Sequence, residues 1–102
     1  MNHTICDAIQ QKTVLNLYYD GHMRVVEPYT HGVSDSGKKV LRCFQIDGGS
    51  NSGKVLGWKV LNVNEIQLLS ITEREFSRAR QGYRDTDTGI ERIFCELQEA
   101  GL

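Results

Sequence analysis

Leu17-Tyr18-Tyr19-Asp20-Gly21-His22-Met23-Arg24-Val25-Val26-Glu27-Pro28-Tyr29 is the stretch on which the reading of this chain turns. Aromatic and β-branched residues favour extended backbone and run up to Asp20-Gly21, where Gly21 supplies the positive φ of a tight turn. A second β-favouring run follows, so the stretch predicts a β-hairpin. Pro28 lacks an N–H and is tolerated only at a strand edge or a bulge, so the second strand is expected to bend there.

Upstream, Thr4 and Asp7 stand at capping-box spacing, and Ile5, Ala8 and Ile9 share one face of a helix predicted over about residues 4–11. From Thr13 to Tyr19 the period changes to two, with Leu15, Leu17 and Tyr19 on one side. Downstream, Lys39 to Asp47, Lys54 to Leu61 and Ile66 to Ile71 read as three further strands. They are separated by the turn formers Ser34-Asp35-Ser36-Gly37, the loop Gly48 to Gly53, and Asn62 to Glu65. Thr88 and Glu91 form a second capping box, followed by Ile90, Ile93, Phe94 and Leu97 at helical spacing. A last helix is therefore expected to run to about Ala100. The architecture predicted is mainly β (α+β): a small five-stranded antiparallel SH3/Sm-like β-barrel over about residues 13–71, with a short N-terminal helix and a C-terminal extension, about 72–102, ending in a helix.

With 102 residues the chain fits one domain, spanning 1–102. Its net charge of −1 provides no global positive field that would draw it onto nucleic acid or an anionic membrane, so any such binding needs a local patch. The first residues form no signal peptide, and the expected location is cytoplasmic, with no membrane partner. Cys6, Cys43 and Cys95 are an odd number at long spacing. They argue against a disulfide framework and a zinc knuckle, and read as buried thiols in a reducing compartment.

Several residues carry chemistry by type. Tyr19, His22, Arg24, Arg42, Trp58 and Lys59 are the candidate ligand or nucleic-acid surface, because cations neutralise phosphates and aromatic rings stack on planar groups. The competing assignment makes Tyr19 and Trp58 core anchors and the cations solvated strand positions. Arg42 shares a side with Val40, Phe44 and Ile46, so it snorkels from an apolar face or lines a pocket with them. Gly48 to Lys54 matches the phosphate-loop spacing, but Val55 stands where a hydroxyl is required and a strand pattern follows instead of a helix. A hairpin loop is expected, leaving Lys54 for weak anion contact. His3, His22 and His31 have no ligand spacing with one another, so no metal site is expected unless they converge with Cys43 or a carboxylate. Ser34, Asp35, Ser36 and His31 resemble hydrolase components in composition only and read as turn residues.

The order of elements also resembles the WYL domain, a bacterial module with an SH3-like or Sm-like barrel, from about Ile5 to Ile71. The resemblance is carried by Ala8-Ile9, Tyr19, the run Arg24 to Pro28, and a strand ending in a short turn before Ile66, with Gly57-Trp58-Lys59 as in short stand-alone members. The family's name-giving tripeptide falls at Lys39-Val40-Leu41, where only the leucine matches, and Asn62 and Glu65 stand where arginines are common. The resemblance implies a non-enzymatic module without a cofactor, binding an anionic ligand or a nucleic-acid segment, accessory to transcriptional or defence regulation. The alternative is a protein-interaction module that forms homo-oligomers or docks on a regulator protein through its C-terminal helix and barrel edge.

Overall fold

The hairpin forms as the sequence predicts. Tyr19 pairs with His22 where β1 (Thr13–Tyr19) hands over to β2 (His22–Ser34). Asp20 (φ 51°) and Gly21 (φ 84°) both take the left-handed conformation, the type I′ geometry whose twist matches that of the flanking strands. The computed structural model describes residues 2–77, 79–83 and 89–97.

To this hairpin the chain adds β3 (Lys39–Gly48), β4 (Gly57–Asn62), β5 (Gln67–Glu75) and β6 (Ile90–Glu96), with α1 (Asn2–Gln11) in front. A single 3-10 turn, Val63–Glu65, links β4 to β5, and the Asn62 side chain caps it through the Asn64 N–H. Every pairing is antiparallel. The order is β4-β3-β2-β1-β5, with β6 joining β2, so the protein is a mainly β, open six-stranded sheet with one short helix.

β2 is the hub because both of its hydrogen-bonding edges are used. Along one edge it pairs with β3 from Arg24 to Val33. Along the other it pairs with β1 up to Val26, then with β6 from Thr30 to Ser34. The hand-over falls at Pro28, which has no N–H to offer, and the β3 register shifts between Pro28 and Thr30. The expected interruption is thus the point where one edge changes partner.

The core gathers Ile5, Ala8 and Ile9 of α1 with Val14, Leu15 and Leu17 of β1, Val26 and Tyr29 of β2, and Leu41, Cys43 and Leu61 beyond them. The α1 stripe and the side of β1 that carries Leu15 and Leu17 are the faces that the sequence periods of 3.6 and two select, while Val14 is buried on the opposite side of β1. Burying them stabilises by about 25 cal/mol for each Å² of apolar surface removed from water.

Two expectations are corrected. The stretch expected to be the final helix is β6: Ile90 to Glu96 is extended, and the expected helix end at 98–100 lies outside the described residues. Ile90, Ile93 and Phe94 keep helical spacing, but isoleucine and phenylalanine also favour extended backbone. The open edge of β2 decides the matter by supplying a backbone ladder, while Ile93 and Phe94 remain about half exposed. The cysteines are not all free thiols either. Cys6 and Cys95 form a disulfide across 89 positions, with their Cα atoms 5.7 Å apart, and Cys43 alone is free and buried. That separation is what hid the pair, since spacing rules see only local clusters.

β6 lies so close on β2 that a Cβ on Gly32 would run into the Arg92 carbonyl and the Ile90 side chain. Gly32→Ala is therefore expected to cost about 1–3 kcal/mol and to raise amide hydrogen exchange selectively in 90–96. Cys95→Ser is expected to lower the unfolding free energy by about 2–5 kcal/mol in denaturant titrations, because the bridge closes most of the chain into one loop.

Candidate functional site

Consecutive strand residues point to opposite faces, so Trp58 and Lys59 cannot serve one surface, and neither can Arg42 and its neighbour Cys43. The six candidate residues accordingly divide into two groups.

On one face Arg42, Trp58, Phe44, Glu27 and Tyr29 meet the segment that follows β5. Arg42, 7% exposed, donates from Nη1 to the Tyr83 carbonyl and from Nη2 to the Gly82 carbonyl, both at 2.9 Å. Its guanidinium lies over the Trp58 ring, 4.2 Å from the centroid. Trp58 Nε1 donates to the Gln81 carbonyl at 2.9 Å, and its ring packs edge-on against Tyr29 and Phe44. Beneath them Glu27 accepts a bidentate pair from Arg80, Nε to Oε1 and Nη2 to Oε2, each at 3.0 Å. The Tyr29 hydroxyl donates to the same Oε1 and accepts the Arg80 N–H. Burial pushes the Tyr29 phenol above its ordinary range, and the Glu27 carboxylate adds to the shift while the Arg80 N–H opposes it. The Glu27 hydrogen bond holds Arg80 protonated more firmly than usual. Every polar group named here is occupied internally, so Arg42 and Trp58 act as anchors for 79–83. Arg78 and Arg84 lie outside the described residues.

The other group is Tyr19, Arg24 and Lys59, with His22 at its end. Arg24 is 4% exposed. It donates from Nε to the Tyr19 carbonyl and from Nη1 to Gln45 Oε1, each at 3.2 Å, and lies over the Tyr19 ring. Tyr19 in turn accepts the Asn62 N–H on its hydroxyl. Lys59 pairs with Cys43 across the β3–β4 ladder and donates from Nζ to the Lys54 carbonyl at 2.7 Å and to Ser50 Oγ at 3.3 Å. Burial pushes the Cys43 thiol up to about 12, and the nearby charges of Arg24 and Lys59 pull the other way. Both cations therefore act on one spot of the sheet. Among the described residues the single ion pair is Glu27–Arg80, so neither Arg24 nor Lys59 faces a carboxylate.

The loop after β3 closes this end. Gln45 Nε2 donates to the Asp47 and Gly49 carbonyls, His22 Nε2 pairs with Asn51 Oδ1 at 2.8 Å, and Asn51 Nδ2 donates to Asp20. Gly53 N–H turns back to the Ser50 carbonyl, and β4 follows. The segment is a hairpin loop with no helix N-terminus facing a phosphate, as its sequence context predicts. In a turn, the Ser34 and Ser36 hydroxyls bond each other and Ser34 Oγ accepts the Lys38 N–H.

Sequence reasoning missed one constellation. Cys6 of α1, His31 of β2 and Cys95 of β6 bring their ligand atoms within 4.8 Å of one another. Cys6 Sγ lies 3.8 Å from His31 Nδ1. His31 is fully buried, its ring edge against Phe94, and burial, aided by Lys39, pushes its imidazole below the ordinary range. The residue types were visible, but no local spacing links three residues from three elements. Comparison with models of known families, with characterised proteins and with solved structures finds no match for this chain.

Arg42→Lys removes the fork that holds two carbonyls and is expected to cost about 1–3 kcal/mol while loosening 79–83 in hydrogen exchange. Glu27→Gln, which weakens the charge-assisted pair with Arg80, is expected to lower the denaturation midpoint by an equivalent of about 1–3 kcal/mol.

Proposed function

We propose that this protein is a non-enzymatic, WYL-like regulatory module whose SH3/Sm-type sheet binds a compact anionic ligand at the end formed by Lys59, Lys54 and His22, with Arg24 beneath. The observation that carries the reading is the pair of cations, Arg24 and Lys59, that bear on one spot of the sheet with no carboxylate partner among the described residues. Arg24 is held by neutral acceptors, the Tyr19 carbonyl and Gln45 Oε1, and Lys59 pairs with Cys43, two residues from Gln45 on the same face of β3. Lys59 makes direct contact with the ligand, Lys54 and His22 flank it, and Arg24 supplies field. Arg42 and Trp58 have no part in binding. The strand order β4-β3-β2-β1-β5 is compatible with such a barrel. The net charge of −1 favours a phosphorylated small molecule over long nucleic acid, as an input to transcriptional or defence regulation.

Calorimetric titration at low salt with inorganic pyrophosphate, mononucleotides, and short single-stranded RNA and DNA tests this. Binding of pyrophosphate or a mononucleotide, falling steeply with salt and weakened at least about tenfold by Lys59→Glu, is the expected result. Tighter binding of the oligonucleotides would move the function to nucleic acid, and no binding to any of them would remove the reading.

A second reading, self-association, is favoured by the two ends of the sheet order. Among the described residues β4 and β5 each pair on one side only, and Val60, Leu68 and Ile71 on them are 51%, 72% and 42% exposed. The helix once expected to mediate it is a strand, so the sheet edges carry this alternative. Sedimentation across a hundredfold concentration range separates the two: a constant monomer mass excludes homo-oligomerisation.

A further inference from the structure

We propose that Cys6, His31 and Cys95 form a redox-gated metal site: closed as a disulfide, and on reduction open to one thiophilic cation, Zn2+. The three side chains come from α1, β2 and β6, so only the folded chain assembles them. A tetrahedral Zn2+ with Zn–S of about 2.3 Å and Zn–N of about 2.0 Å has a sulfur–nitrogen edge of about 3.5 Å and a sulfur–sulfur edge of about 3.8 Å. Cys6 Sγ and His31 Nδ1 already stand 3.8 Å apart. The Cα atoms of the two cysteines are 5.7 Å apart, so side-chain rotation takes their sulfurs from bonded contact to the tetrahedral edge.

The donor set selects the ion. Two thiolates and a neutral imidazole carry two negative charges, which Zn2+ cancels, so the buried site ends neutral. The set has no oxygen donor, which excludes hard cations such as Ca2+ and Mg2+. Three protein ligands leave a fourth position for water or an exogenous ligand, and the partial exposure of both cysteines gives solvent a way in.

His31 supplies the independent argument. It is 0% exposed, its Nε2 has no hydrogen-bond partner, and its Nδ1 lies 3.8 Å from Cys6 Sγ, with the Cys95 donor atom within 4.8 Å of both residues' donor atoms. A buried polar ring without a hydrogen-bonded purpose costs more than a leucine of similar volume would. Once the sulfurs are thiolates, Nδ1 gains a metal-ligand role that the disulfide cannot give it, while Nε2 keeps the ring proton.

The gating step balances with a phosphine as reductant: phosphine, disulfide and water yield phosphine oxide and two thiols. Both thiols release their protons as the two sulfur–zinc bonds form. The two states both join α1 to β6, by a sulfur–sulfur bond in one and through the ion in the other.

The test uses the full chain, anaerobically, with and without phosphine, titrated with Zn2+ against a chromophoric chelator and with Co2+ as spectroscopic probe. The reduced chain is expected to bind one Zn2+ and to show a near-ultraviolet thiolate-to-cobalt band, and the oxidised chain to do neither. Cys43→Ala is expected to keep both properties. His31→Ala is expected to weaken Zn2+ by roughly 100-fold, since even outer-shell partners of a metal ligand are worth 10–100-fold. Should His31→Ala fail to fold, the imidazole resonances of the reduced wild type decide, and they must shift on adding Zn2+. The proposal is overturned if the reduced chain takes up no Zn2+, if binding requires Cys43, or if the His31 ring does not respond. A reduced chain that unfolds and does not regain its native circular dichroism with Zn2+ overturns it as well.

Discussion

A strand presents N–H and C=O groups along both edges, and leaving them unpaired inside a protein costs the full desolvation of each group. β2 is the longest strand here, 13 residues, and no one neighbour on its second edge is long enough to satisfy it. The rest of the structure follows from meeting that demand. β1 returns through the Asp20-Gly21 turn and covers the first half, while β6 comes in from the far end of the chain to cover the second. Pro28 marks the seam because it is the residue that asks for no partner.

The described residues just after β5, 76–77 and 79–83, form no strand, and side chains from the sheet meet much of their backbone need. Arg42 takes the carbonyls of Gly82 and Tyr83, Trp58 that of Gln81, and Tyr29 the N–H of Arg80. The aromatic cluster of Tyr29, Trp58, Phe76 and Tyr83 fills the space beneath with apolar area. Polar atoms at the ends of large rings and long stems do what a ladder does elsewhere, and burial then fixes them in place. Charge on this face serves cohesion.

β2 also sets two chemically distinct regions apart. Arg24 and His31 are seven positions distant on one strand, about 23 Å at strand rise. Near the first, cations without carboxylates gather around Cys43 and a glycine-rich loop. Near the second, two sulfurs and an imidazole meet between a helix and the last strand. No helix among the described residues is long and apolar enough to cross a membrane.

The sequence by itself determined what is local. Asp20-Gly21 required a primed turn, the alternation of Leu15, Leu17 and Tyr19 selected the core face, Ile5, Ala8 and Ile9 selected the buried stripe of α1, and Val55 ruled out a phosphate loop after Gly48. It also placed Arg24 and Lys59 among the six candidate site residues, though not that Arg24 would be buried. Only the tertiary structure decided what depends on distant partners. Ile90 to Cys95 keeps helical spacing in residue types that also favour extended backbone, and the unmet edge of β2 made it a strand. Arg42 was poised between snorkelling and a pocket until carbonyls of 82 and 83 came within reach of its fork. Cys6 and Cys95 became a pair for the same reason. Backbone hydrogen bonding and side-chain reach act through space, and a pattern of residues along one chain records only those contacts that are also close in sequence.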